Sequence, residues 1–83
     1  MKPLRPIKIV WRKLPKAWGL ADHTKHTIWL DPRMDDKTLL EIAPHEIIHV
    51  LFPMLDEEAA ELYGKHCSDV LTRIGFARNQ GDE

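Results

Sequence analysis

Apolar and polar residues alternate in the first third of the chain, a pattern that predicts short β-strands. The polar run at residues 23–26 separates two such segments and is typical of the turn of a β-hairpin, and Asp31-Pro32 ends the pattern. We therefore expect a three-stranded antiparallel sheet with strands at residues 7–11, 17–22 and 27–31.

The remainder of the chain has helical periodicity and two good helix starts. The first helix is predicted to begin near residues 35–36 and to run to Phe52. The second is predicted to run from Asp56 to about Ile74, antiparallel to the first. Residues 1–83 are thus expected to form a single domain of the α+β class, with the sheet followed by two antiparallel helices.

The first helix is apolar around most of its circumference, which predicts that most of its surface is buried. Its polar members gather on one arc, namely Glu41, His45, Glu46 and His49. Ionisable groups on an inner helix need a compensating partner. Pro44 lies inside this segment, where it should kink the helix or make it restart.

Length and composition limit how such a domain can be stabilised. Eighty-three residues bury only a thin core, and Cys67, the one cysteine, excludes an intramolecular disulfide. A bound metal ion would supply the missing stability. No membrane span and no signal peptide are expected, so the predicted location is the cytoplasm.

The net charge of −1 conceals an asymmetry, because residues 1–16 carry six Lys or Arg and no acid. A solvated basic edge strand explains this segment more simply than contact with an acidic partner. Nucleic acid is therefore not favoured as a partner.

The arc of the first helix contains the sequence His45-Glu46-Ile47-Ile48-His49, an H-E-x-x-H motif. Two imidazoles four residues apart lie on one helix face and can reach a common Zn²⁺. Glu46 projects beside that ion, where its carboxylate can accept a proton from a water made acidic by the metal. The alternative is that both histidines are simply hydrogen-bonded residues of the helix.

The chain resembles the zincin metallopeptidases over about residues 18–76, especially the glutamate-liganded (gluzincin-like) group. It is also similar to ImmA/IrrE-type peptidases and to small bacteriophage-encoded metallopeptidase-like proteins, for which the location would be the host cytoplasm. The His-Glu motif carries the resemblance, which is supported by Trp18–Asp22, Thr27–Arg33, Phe52–Leu55, Glu57–Ala59 and Arg73–Phe76.

The resemblance implies a minimal zincin-like domain with one Zn²⁺ and a third ligand from a Glu on the next helix. Glu58, followed by Ala59, fits that pattern best, with Glu61, Glu57 and His66 as alternatives. It also implies that the strand before the active-site helix, residues 27–31, borders the cleft and pairs with an extended substrate.

Larger zincins add a Tyr or His that stabilises the tetrahedral intermediate, and only Tyr63 and His66 are nearby candidates. Tyr63 and Cys67 lie on an apolar stripe of the second helix and are predicted to be buried, with His66 half-buried at its border. His23 and His26 are expected to be solvated turn residues. The three tryptophans are expected to pack in the sheet, namely Trp11, Trp18 and Trp29.

Two functional hypotheses follow. In the first, the protein is a zinc metallopeptidase that hydrolyses a peptide or protein substrate, with Glu46 as general base and then general acid. In the second, it is a non-catalytic binding or regulatory module that zinc stabilises, because so short a chain has little room for a specificity subsite. A basic nucleic-acid adaptor using residues 1–16 is a weaker third hypothesis. The oligomeric state is not predicted.

Overall fold

The computed structural model describes residues 5–75, which form three strands and two helices. In chain order these are β1 (Lys8–Trp11), β2 (Gly19–Asp22), β3 (Thr27–Leu30), α1 (Asp36–Leu51) and α2 (Glu57–Arg73). The predicted α+β class is confirmed, and every element lies close to its predicted position. No helix within residues 5–75 is long and apolar enough to cross a membrane.

The sheet has the strand order β1-β3-β2 and is mixed. β2 and β3 form the expected antiparallel hairpin, but β1 pairs with β3 in parallel, so the prediction of a fully antiparallel sheet was wrong. Trp11 at the end of β1 and Gly19 at the start of β2 both lie opposite Leu30, on either side of it. Residues 12–18 therefore cross the end of β3 instead of turning back beside β1.

A buried carboxylate fixes this crossing segment. Asp31 is 0% exposed, and its carboxylate accepts hydrogen bonds from the Leu14 backbone N–H at 2.9 Å and from the Arg33 guanidinium at 2.6 and 2.9 Å. The Asp31 backbone N–H donates to the Trp18 carbonyl at 2.9 Å. The Arg33 side chain, with these N–H groups, holds the pKa of Asp31 well below its usual range.

The core lies between the sheet and α1. Its buried cluster consists of Ile28, Leu30, Met34 and Val50. α1 packs on β2 and β3 but does not contact β1, which leaves Trp11 half-exposed. Trp18 is also about half-exposed and Trp29 is partly buried, so the prediction that all three tryptophans pack in the sheet was wrong for Trp11 and Trp18.

Both helices begin at the predicted aspartates. The Asp35 carboxylate accepts the Thr38 N–H, and the Asp56 carboxylate accepts the Ala59 N–H, each at 2.8 Å. α1 is continuous through the buried Pro44, so of the two outcomes expected there, a kink or a restart, the restart does not occur. The C-terminal end of α1 is less buried than its composition predicted, because Leu51 and Phe52 are half-exposed.

α2 packs against α1 through small residues, namely Ala60, Gly64 and Ser68. A β-carbon on Gly64 would lie 3.1 Å from the His45 Cα, so the two backbones nearly touch. The predicted apolar stripe does not make this contact: Tyr63 is 48% exposed, and Cys67 and His66 are exposed. The prediction that Tyr63 and Cys67 are buried was wrong because only small side chains allow so close an approach.

Candidate metal centre

The two histidines of the motif point at one another across one turn of α1. Their Nε2 atoms are 3.1 Å apart, and the ring planes meet at 78°. Both side chains are partly buried, at 17% and 26% exposure. The i, i+4 spacing therefore places two ring nitrogens at a single point on the helix surface, as the motif predicts.

Glu57, the first residue of α2, completes the cluster. Its Oε2 lies 2.9 Å from His45 Nε2, and its Oε1 lies 3.0 Å from His49 Nε2. Within residues 5–75 these three side chains form a group with ligand atoms all within 4.8 Å of one another. We call His45, His49 and Glu57 the metal group.

Glu58, the predicted third ligand, is exposed and is not part of the metal group. Consecutive helical residues are rotated by about 100°, so Glu57 and Glu58 cannot both face α1. Glu57 shares the face of Ala60 and Gly64 at spacings of three and seven residues, and this face packs against α1. The structure therefore brings Glu57, one of the alternatives, to the histidines.

Hydrogen bonds alone do not satisfy the contacts within the metal group. Each Nε2 carries at most one hydrogen, yet the two nitrogens make three short contacts, one between them and one each to Glu57. A cation at the centre would satisfy all three. With Zn–N distances of about 2.0–2.1 Å, tetrahedral ligands are separated by about 3.3 Å, close to the observed 2.9–3.1 Å.

Two imidazoles and a carboxylate are a donor set that suits zinc, and three protein ligands leave a fourth position open. The Glu57 side chain is 72% exposed, so solvent reaches the centre from the α2 side. The residues present therefore fit an accessible zinc site.

Glu46 follows His45 on α1 and is 8% exposed. Burial raises the pKa of its carboxyl, an effect that His45 and His49 oppose and Glu57 reinforces. The close approach of β2 depends on Gly19, where a β-carbon would lie 2.7 Å from Ile42 Cγ2 and 3.0 Å from Glu46 Cγ. A glycine here thus lets the strand pass directly over the carboxylate.

Two open clefts of about 670 Å³ each meet at the metal group and share His45, Glu46 and Glu57. The first, the helix-side cleft, is also lined by residues of α1 and α2, including Glu41, Glu61, Lys65, Ser68 and Asp69. The second, the strand-side cleft, runs along β2 and adds Leu20, Ala21, Asp22, His23, His49 and Pro53.

The strand at the cleft is β2, not β3. β3 occupies the centre of the sheet with a partner on each side, so it has no free edge, and the expectation that residues 27–31 pair with a substrate was wrong. β2 is an edge strand, and Gly19–Asp22 lines the strand-side cleft. The mixed topology explains why β2 and not β3 is the edge strand here, because β1 occupies the side of β3 that an antiparallel meander would leave free.

The other candidates of the second helix are not part of the metal group. Glu61 lines the helix-side cleft, where it pairs with Lys65 at 3.6 Å. His66 and Tyr63 line neither cleft. Sequence reasoning ranked Glu57 low and missed Gly19 and Gly64. The run of small residues on the Glu57 face of α2 was the pattern that could have identified both Glu57 and the helix contact.

No protein-family model matches this chain, and no curated protein and no solved structure is significantly similar to it. The assignment of a chemistry therefore depends on the geometry of the metal group and the residues around it.

Proposed function

We propose that the protein is a zinc-dependent metallopeptidase of the H-E-x-x-H class, with one zinc ion held by His45, His49 and Glu57. The observation that carries this proposal is the convergence of two Nε2 atoms and one carboxylate within 3.1 Å, in a cleft that the buried Glu46 also lines. Glu57 replaces Glu58 as the proposed third ligand.

A bound zinc ion supplies Lewis acidity, which polarises the scissile carbonyl and makes a neighbouring water more acidic. Glu46 accepts a proton from the attacking water and then passes it to the leaving amine nitrogen. Burial suits Glu46 to the first of these steps, because a raised carboxyl pKa makes its carboxylate a stronger base toward the proton of the attacking water.

The substrate is proposed to be an extended peptide that lies along β2. An edge strand offers unpaired backbone N–H and C=O groups, and a peptide can add to it as a further strand. Because Gly19–Asp22 lines the cleft that contains the metal group, a peptide bound there would pass over His45 and His49. This assigns substrate pairing to β2 in place of β3.

The proposed function is tested by comparing wild type with Glu46→Gln and His49→Ala. Wild type and Glu46→Gln are expected to bind one equivalent of zinc by elemental analysis, and His49→Ala none. Only zinc-loaded wild type should cleave a peptide library assayed by mass spectrometry. Activity that survives in Glu46→Gln, or zinc that is lost from it, would contradict the proposed role of Glu46.

A zinc-stabilised module without catalysis is the second candidate, and one observation favours it. The metal group joins α1 to α2, whose buried residues are all small, so a bound ion would help to hold the two helices together. In that case chelation should unfold the domain, and Glu46→Gln should keep every function of wild type.

A further inference from the structure

The turn between β2 and β3 is held in one conformation by its own polar groups. Asp22 Oδ1 accepts hydrogen bonds from the Thr24 N–H at 3.0 Å, the Thr24 hydroxyl at 2.6 Å and the Lys25 N–H at 3.2 Å. The His26 N–H donates to the His23 carbonyl at 3.3 Å, which closes a four-residue turn. The backbone that carries His23 is thus fixed at the end of β2.

The two histidines of this turn have different surroundings. His26 Nδ1 lies 3.0 Å from the Pro6 carbonyl oxygen, and His26 lines neither cleft. His23 lines the strand-side cleft together with the metal group and Glu46. Its exposed ring has no hydrogen-bond or ionic partner among residues 5–75. One of the two turn histidines is therefore accessible to a molecule in the cleft.

Peptide hydrolysis in this cleft would be accelerated by a hydrogen-bond donor for the carbonyl oxygen, in addition to the Lewis acidity of the metal. When the water oxygen bonds to the carbonyl carbon, the C=O π electrons move to that oxygen, and a fixed donor stabilises the charge. Outside the metal group, His23 is the one side chain lining the strand-side cleft that carries an N–H donor. The Tyr and His candidates of the second helix do not line it.

We propose that His23 is a catalytic residue that donates a hydrogen bond to the scissile carbonyl oxygen of a peptide lying along β2, an inference that rests on the proposed function. Glu46 removes a proton from the attacking water and delivers it to the leaving nitrogen as the C–N bond breaks. The C=O bond then re-forms, and the hydrogen bond from His23 weakens. No oxidant or further reactant is required.

The test compares zinc-loaded wild type with His23→Ala, His23→Gln and the matched control His26→Ala. Each protein is assayed for zinc affinity by chelator competition, for kcat and KM on a cleaved peptide, and for binding of the phosphinic analogue of that peptide. His23→Ala should keep its zinc affinity and KM, but lose about 100-fold in kcat. Its affinity for the tetrahedral analogue should fall by a similar factor.

His23→Gln retains an N–H donor and should recover part of the loss, whereas His26→Ala should match wild type. Unchanged kcat and analogue binding in His23→Ala would overturn the proposal and leave His23 as a solvated turn residue. A loss of zinc from His23→Ala would also overturn it, because His23 would then be a metal ligand. If zinc-loaded wild type neither cleaves peptides nor binds the analogue, the proposed function fails, and this inference with it.

Discussion

Two polar clusters of this protein contain a carboxylate surrounded by nitrogen atoms, and they differ in whether hydrogen bonds complete them. Asp31 is fully buried and receives N–H groups from Leu14 and Arg33, with a guanidinium that balances its charge. Glu57 is exposed and faces two ring nitrogens, which together carry at most two hydrogens for three contacts. Hydrogen bonds account for every contact of the first cluster, whereas the second has one short contact more than its ring nitrogens have hydrogens.

The difference suggests how a structural cluster is distinguished from a site. A buried carboxylate with a full set of donors stabilises the fold, because each polar atom has a partner. Ligand atoms that converge while open to solvent favour a cation instead. Measuring both zinc affinity and metal-free stability for each variant separates the two clusters.

The largest expected effect is on zinc binding when Glu57 is changed. Glu57→Gln should lower zinc affinity by more than about 100-fold, beyond the loss typical of residues that only support a ligand. It should also remove most of the stabilisation by zinc, which at a free concentration 100 times the wild-type Kd is about 2.7 kcal/mol for wild type. For a domain of this size that corresponds to about 10 to 20 °C in Tm.

Glu58→Gln is the control for this substitution, because it removes the same charge from the neighbouring position. Its zinc affinity should remain within about twofold of wild type, as expected for an exposed charge. If the two variants exchange these results, Glu58 is the ligand, and the first turn of α2 presents Glu58 instead of Glu57 to the histidines.

Asp31→Asn should affect stability and leave zinc affinity unchanged. Arg33 lowers the pKa of Asp31, so the ionised carboxylate stabilises the folded state at pH values above its unfolded pKa of about 3.9. That contribution is lost as the pH falls through the lowered folded pKa. Wild type should therefore have the higher Tm at pH 7, and the two Tm values should converge toward pH 2.

Thermal unfolding of the metal-free proteins between pH 7 and pH 2 measures this difference. A constant difference in Tm across that range would show that the stabilisation does not come from the charge of Asp31. Reduced zinc affinity would show that the crossing segment, residues 12–18, also supports the metal group.

The sequence was sufficient for the position of every element and for two of the three proposed ligands. Helix starts follow from local capping, and the histidine pair follows from helical spacing, so neither needs long-range information. The parallel pairing of β1 with β3 could not be predicted, because it depends on Asp31 binding the backbone of residues 12–18 in space. The choice of Glu57 could not be predicted either. A rotation of α2 by about 100° about its axis would bring Glu58 to the histidines instead, and only packing against α1 determines that rotation.

The orientation of α2 was mispredicted for a physical reason. Tyr63 and Cys67 mark the more apolar side, which burial arguments place inward. The helix instead turns Ala60, Gly64 and Ser68 toward α1, because the absence of large side chains allows a backbone contact at His45. In α2, therefore, the close approach to α1 determines which face is buried, and the larger apolar area of the Tyr63 face does not.

Gly64→Ala tests whether close packing of the helices determines the buried face of α2. It should lower both metal-free stability and zinc affinity. The added methyl group meets the α1 backbone at 3.1 Å, an overpacking that costs about 1–3 kcal/mol, and higher helix propensity returns up to about 1 kcal/mol. We expect a net loss of about 1 to 2 kcal/mol in metal-free stability and about tenfold in zinc affinity, because His45 is displaced from Glu57. His66→Ala, on the exposed side, should change neither. Greater stability in Gly64→Ala would contradict the close helix contact.

The smallest predicted effect comes from the cap of α2. Asp56→Ala removes the hydrogen bond to the Ala59 N–H and should cost about 1 kcal/mol. Because Glu57 is the next residue, fraying of this turn competes directly with metal binding. Zinc affinity should fall by about fivefold, measured by chelator competition, and the loss should disappear in a Glu57→Gln background.

Asp35→Ala provides the matched comparison, since Asp35 caps α1 through the same 2.8 Å contact, here to the Thr38 N–H. That cap lies more than two helical turns before His45, so its removal should lower stability without a change in zinc affinity. If Asp35→Ala and Asp56→Ala lower zinc affinity equally, zinc affinity depends on the stability of the whole domain. A loss of zinc affinity in Asp56→Ala alone would instead show that order in the first turn of α2 holds Glu57 in position to bind zinc.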